Sequence, residues 1–169
     1  MIDRAYVLTM ARYNAWQNLQ LIDIIAGMDD AALVEDRGAF FGSILGTLNH
    51  LLWGDTLWMS RWCDDVLAPD VGIPHSLALT TSAQEWITGR QALDGRIMLW
   101  ADAVGDADLQ GDLTWYSGAA ECQVTKSMSV CTTHLFNHQT HHRGQVHAML
   151  TAAGQKAPTS DLVFMPEEL

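Results

Sequence analysis

Residues 134–147, HLFNHQTHHRGQVH, carry five of the chain's seven histidines, and neutral imidazole is a common ligand for zinc, nickel and iron. On a helix turning about 100° per residue, with His138 at zero, His134, His141, His142 and Gln145 fall near about 320°, 300°, 40° and 340°. Four imidazoles therefore share one face. Cys131, Leu135, Met149 and Ala152 lie on the same arc, so the stripe is turned toward a partner helix rather than toward water. Burying unpaired polar rings costs on the order of 1 to 3 kcal/mol each, and coordination to a metal removes much of that cost. Imidazoles at i and i+4 stand one turn apart on the same side. His134 with His138 and His138 with His142 both have this spacing, which leaves the ligand pair open. His147 falls near about 180° on the same wheel, and it and His75, in a loop segment, read as solvent-facing.

The elements that must position the stripe are four long helical segments. The first runs from about Asp3 to Ala26, stopped by Gly27, and MDDAALVEDRGAFFG reads as a linker. Ser43 caps a second helix, ILGTLNHLLWGDTLWMSRW, ending near Asp64. This helix is apolar on two faces, as expected at the centre of a bundle. Residues 66–81, with Pro69, Gly72 and Pro74, read as a loop. Ser82 opens a third helix, with Glu85 completing a capping box, and it continues to about Val104. LTWY and CQVT, either side of Gly118, are short β-leaning pieces. The fourth helix, from about Ser127 to Ala153, carries the histidines and stops at Gly154. The expected fold is all-α, a four-helix bundle in one domain over 1–169, with a small β-leaning insert before the last helix.

Metal sites in such bundles are built from facing helices, which makes His50 the third-ligand candidate. It sits on the second helix opposite the main apolar stripe, with Gly46, Thr47 and Gly54 around it. Asp55 is an odd residue within that stripe; it is a candidate to orient an imidazole or to pair with Arg143. Arg143 either ties its helix to a neighbour or binds an anionic substrate. Trp53, Trp58 and Trp62 are core or pocket residues, and Trp115 and Tyr116, just before the metal helix, are candidates for a pocket rim.

Composition narrows the functional classes. Nine basic against twenty acidic residues give a formal charge of −11, which repels phosphate backbones and argues against direct nucleic-acid binding. No apolar run reaches membrane-spanning length, and MIDRAYVLTM has no signal-peptide core. Cys63, Cys122 and Cys131 are odd in number and without CxxC pairing, which fits reduced thiols in a cytoplasm; Cys131 lies on the histidine arc.

The segments YNAWQNLQL, LNHLLWGDTLWMSRW, HLFNHQTHHRGQVHAML and GQKAPTSDLVF together resemble the DinB/YfiT-like family. That resemblance implies a four-helix bundle and a divalent metal held by one histidine of the second helix and an HxxxH pair of the fourth, matching His50, His138 and His142. His134 and His141 are then candidates for outer-sphere or acid–base roles. Three histidines with an open fourth position suit activation of a nucleophile. Ligand softness favours zinc or nickel over iron or manganese. Thiol-dependent S-transferases and an isomerase among the relatives imply a low-molecular-weight thiol acting on a small electrophilic substrate, and a homodimer. Two other readings stand beside this one: a metal-dependent hydrolase, which lacks an HExxH motif and would draw its base from His141, His134 or Asp55, and a non-catalytic metal-binding stress-response module.

Overall fold

The computed structural model describes residues 2–168. Four long helices carry the fold: α1 (Arg4–Ile25), α3 (Ile44–Trp62), α4 (Ala83–Ala103) and α5 (Met128–Ala152), with a short α2 (Asp30–Val34) between the first two. Each long helix begins where a side-chain oxygen satisfies an otherwise orphaned backbone N–H. Asp3 accepts from Tyr6, Ser43 from Gly46, Ser82 from Glu85 and Ser127 from Val130. The carboxylate of Glu85 turns back onto the Thr81 N–H at 2.7 Å. α5 ends at Gly154, whose φ of 76° completes a left-handed stop open to glycine at little cost.

In the bundle, α1 packs on α4 and α5, and α3 packs on the same two helices. α3 also meets α2 and residues 73–78, and it is the most enclosed helix, buried without interruption from Ile44 to Asp55. Its two apolar faces are thus largely covered from within the chain, and exposed apolar side chains lie elsewhere, among them Phe40, Leu67, Val163 and Phe164. The β-leaning insert forms an antiparallel hairpin, β1 (Asp112–Ser117) with β2 (Cys122–Ser127), registered so that Trp115 faces Val124. Among the described residues no helix is long and apolar enough to cross a membrane.

Two segments expected as linker and loop contain more order than their turn-rich sequence suggested. Within 28–42, Leu33 is fully buried and anchors α2. Within 66–81, Ile73–Ala78 form a 3₁₀ helix with proline in its first turn, and it packs on α3. Both are too short to show a period of 3.6, so tertiary burial rather than local patterning decides them.

The core also contains charge. Asp55, on α3, receives Arg90 of α4 at 2.7 Å, and both side chains are almost wholly buried. Arg90 also meets Asp94 at 2.8 Å. Asp94 accepts from Asn14 and Asn18 of α1, and Arg143 of α5 donates to Asn14 and to Gln139. Two carboxylates thus face two guanidiniums where all four long helices converge. Burial pushes the Asp55 carboxyl up to about 6, although Arg90 opposes the shift.

Removing one member leaves a partner charged and dehydrated, which is the expensive way to break a buried ion pair. Asp55→Ala is expected to lower stability by about 3 kcal/mol or more in urea unfolding, and Asp55→Asn, which keeps a hydrogen-bond acceptor for Arg90, by less. Equal losses for the two variants would contradict this expectation, showing that the acceptor kept by asparagine recovers nothing of what the charged carboxylate supplies.

Candidate metal centre

α5 presents two interleaved i, i+4 pairs. His138 and His142 face α3 on one side, and Gln139 and Arg143, one position on, join the buried polar network. Opposite His138, α3 offers Gly54, where an added Cβ would lie 3.2 Å from His138 Cε1. The missing side chain is what lets the ring seat against the α3 backbone. One turn earlier, His50 completes the group.

The ligand nitrogens of His50, His138 and His142 all lie within 4.8 Å of one another, and His50 Nε2 is 3.2 Å from His138 Nε2. Two nitrogens held at about 2.0–2.1 Å on one tetrahedral ion stand roughly 3.3 Å apart, so this spacing suits a shared metal. The far sides of two rings support the same conclusion. His142 Nδ1 donates to Gln145 Oε1 at 2.8 Å, which leaves its Nε2 as a lone pair. His50 Nδ1 is hydrogen-bonded to Ser76 Oγ at 3.0 Å. His138 Nδ1 is buried with no hydrogen-bond partner among the described residues. Neutral nitrogen donors of this kind fit a borderline divalent ion. Burial first, then the neighbouring His142, brings His50 down to about 4. Burial and then the surrounding histidines bring His138 down to about 3. Burial also lowers His142. His50 and His138 are therefore unprotonated, as ligands must be, well below neutral pH, and His142 is shifted in the same direction.

Phe41 closes one side of the cluster, its ring 4.1 Å from that of His50 and 5.1 Å from that of His142. On another side a cavity of ≈ 880 Å³ opens directly onto His50 and His138 and includes His134, Trp53, Trp58, Trp115 and Tyr116 in its walls. Trp53 stacks on His50 and donates its indole N–H to the Val71 carbonyl at 2.7 Å, fixing the loop that forms one wall. Trp115 packs edge-on to Trp58, and Tyr116 stands exposed at the mouth. His134 rests on Trp58 at 5.2 Å and on His138 at 5.5 Å. His141 is exposed, stacks edge-on against His142 and does not line the cavity.

Two expected roles are corrected by these positions. Asp55 orients no imidazole and does not pair with Arg143: it lies about 140° round α3 from His50 and is committed to Arg90. Of the two roles open to Arg143, the structure shows the tie to a neighbouring helix and no place at the histidines: its buried guanidinium is held by Asn14 of α1 and by Gln139 over the Tyr13 ring. Cys131 is buried, and burial pushes its thiol up, away from thiolate character. The partners that do orient the rings are Ser76 and Gln145. Gln145 sits on the histidine arc and was visible there. Ser76 and Phe41 lie in segments without periodicity and carried no signal.

Comparison with known proteins gives a consistent result. The family model described as the DinB family matches residues 1–168. A curated relative, Protein DinB of Bacillus subtilis (strain 168), is 23% identical over 159 residues, covering 92% of this chain and 91% of its own. A crystal structure of a DinB-like protein from Bacillus cereus ATCC 10987 superposes with a TM-score of 0.66 at 18% identity, covering 87% of this chain and 90% of that one.

Ring-orienting partners typically contribute 10–100-fold to metal affinity. Ser76→Ala and Gln145→Ala are each expected to weaken zinc binding by about that factor with little change in fold, as measured by competition with a chromogenic chelator; affinities equal to the parent's would remove both residues from the site. The rings also predict a pH dependence for the metal-free protein. An unfolded histidine titrates near 6.5, whereas folded His50 and His138 accept protons only near about 4 and about 3. Their contribution is complete above 6.5 and is lost as pH falls toward those values, because the unfolded chain binds more protons in between. Asp55 acts with the opposite sign, so the readout is a difference: the melting temperature of chelator-treated parent is expected to fall more steeply than that of His138→Gln between about pH 6.5 and 4. Parallel profiles would contradict the dehydrated placement of His138.

Proposed function

The chain belongs to the DinB family, and from that premise we propose that the His50, His138 and His142 cluster is the centre of a metal-dependent enzyme that joins a low-molecular-weight thiol to a small electrophile. The observation that carries this reading is the convergence of three imidazole nitrogens, two of them from His50 and His138 in the wall of a large cavity, with no carboxylate among the described residues grouped with them to fill a fourth position. A closed structural site would complete its own coordination. A bound zinc or nickel ion supplies a Lewis acid that makes a coordinated thiol or water a competent nucleophile near neutral pH.

The protein's own groups account for the remaining requirements. Ser76 and Gln145 hold two rings in the orientation that turns their unprotonated nitrogens inward. Trp53, Trp58 and Trp115 present apolar walls that displace water from an entering organic molecule. His134 is the imidazole within the cavity that is not one of the three, and its ring nitrogen takes the proton as the thiol S–H ionises. Sulfur then bonds to the electrophilic carbon while the leaving group departs with its electron pair, and the proton passes from His134 to solvent. Hydrolysis would draw on the same base, because no aspartate or glutamate lines the cavity, so the two readings differ only in the nucleophile.

Zinc- or nickel-loaded protein, incubated with a panel of small thiols and chlorodinitrobenzene, is expected to release chloride and form the thioether in a metal- and thiol-dependent manner. His134→Ala should lower kcat by about 100-fold, and His50→Ala should lose both metal and turnover. Ester or amide hydrolysis without added thiol would replace this reading with a hydrolase, and a metal-loaded protein inert in both assays would replace it with a binding module.

A further inference from the structure

The outer part of the cavity contains an arginine that the chemistry above does not use. On α3 the positions His50, Trp53, Gly54, Leu57, Trp58 and Arg61 recur at i, i+3, i+4, i+7, i+8 and i+11, a single helical face, and all six line the cavity. Arg61 ends that face. Its guanidinium carbon lies 4.3 Å from the Trp58 ring centroid and 5.0 Å from that of Trp115. Both rings are thus positioned to hold a cation by its face while leaving its in-plane N–H donors free.

The other arginines are all engaged. Arg37, Arg90 and Arg96 have carboxylates, Arg4 and Arg12 donate to backbone carbonyls, and Arg143 donates to Asn14 and Gln139. Arg61 makes no ion pair or hydrogen bond among the described residues. Its surroundings sharpen the contrast, since a chain with twenty acidic residues and nine basic ones places no acid on this cavity wall. Desolvation by the indoles lowers the Arg61 pKa from its ordinary value, yet a guanidinium remains charged at any physiological pH. The nearby Cys131 thiol, held neutral by burial, does not compensate it.

We propose that this end of the cavity is an anion subsite in which Arg61, braced by Trp58 and Trp115, binds the carboxylate of a small amphipathic molecule whose apolar body lies along Leu57 and Ile73 toward the histidines. Eleven positions at about 1.5 Å each separate Arg61 from His50 along the axis, and long helical side chains lean back toward the N-terminus. The fitting ligand thus has an acid at one end and its reactive atom on the order of 10 Å away. A cavity of ≈ 880 Å³ accommodates a molecule of that size. The reactive end rests on the metal-enzyme reading above, while the anion subsite stands without it.

The test uses full-length, chelator-treated protein, so that no metal can bind the carboxylate, and compares naphthoate with its uncharged isostere naphthamide by calorimetry. Naphthoate is expected to bind about tenfold more tightly, the lower end for a hydrogen-bonded charge at a half-exposed site. Arg61→Gln should abolish that preference, and Arg61→Lys, which keeps the charge but not the fork, should retain part of it. Equal binding of the two ligands by the parent protein, binding of neither, or a preference that survives in a folded Arg61→Gln variant overturns the proposal. The parent comparison decides the matter even where a variant does not fold. Zinc titration of the same preparations separates the two readings: absence of stoichiometric zinc binding sinks the metal centre and leaves the naphthoate result intact.

Discussion

The close contact between α3 and α5 is the constraint on which the rest of the structure depends. Both helices present polar groups to a buried seam, and a polar seam is tolerated where most of its groups have partners; on α5 the Thr132 hydroxyl, His138 Nδ1 and the Gln139 amide nitrogen are the exceptions. α5 meets the demand by offsetting two pairs by one residue. His138 and His142 point to one side and Gln139 and Arg143 to the other, so that a rotation of about 100° separates metal chemistry from structural charge. The HQTHHR segment is therefore two patterns written over one another. This explains why α5 shows almost no apolar asymmetry despite lying at the centre of the bundle.

The same division runs through α3. His50 and Asp55 are both buried, yet they serve opposite faces. Asp55 turns to α4 and closes the four-charge cluster that ties all the long helices together; His50 turns to α5. Such a cluster contributes less net stability than an apolar core of equal volume would, but it permits few alternatives. A slip of one helix by a turn would strand a charge, whereas a uniformly aliphatic interface would tolerate the shift. Fixing the register of α3 against α5 is what a site of three convergent nitrogens needs, because its geometry must hold to within a fraction of an ångström.

Much of this was legible from residues alone. The four helices follow from their caps and periods, and Ser43, Ser82 and Gly154 mark their ends because those side chains meet a local backbone requirement. Helical phase grouped the histidines on one face, and spacing left two ligand pairs open until family resemblance chose His138 with His142. What sequence could not supply were contacts made across the fold by segments with no period of their own. Ser76 reaches His50 from a 3₁₀ turn twenty-six positions on, and Phe41 covers two ligand rings from a bend before α3. Asp55 was misread for a related reason. Its isolation among apolar neighbours correctly signalled a buried role, but the partner that satisfies it, Arg90, lies on a helix whose sequence reads as ordinary amphipathic surface.

The placement of Asp55 bears on the metal site in a further way. A carboxylate within reach of three imidazoles would complete a four-coordinate shell, and a filled shell has no position for a nucleophile. Asp55 lies beside Gly54, the residue against which His138 seats, so it is the acid on α3 nearest to closing the site. Two features hold it away: helical phase turns it from the histidine face, and Arg90 meets it in a bond whose rupture would leave the Asp55 carboxylate uncompensated in a dry core while Arg90 kept Asp94. The residues that line the cavity include no acid. In a chain with more than two acidic residues for each basic one, that distribution keeps the carboxylates in the outer surface and in the structural cluster. His50 and His138 are left to face the cavity, with Arg61, which makes no ion pair or hydrogen bond among the described residues, at its far end. Buried charge thus does two things in this fold: it locks the helices in register, and it withholds from the metal site the ligand that would close it.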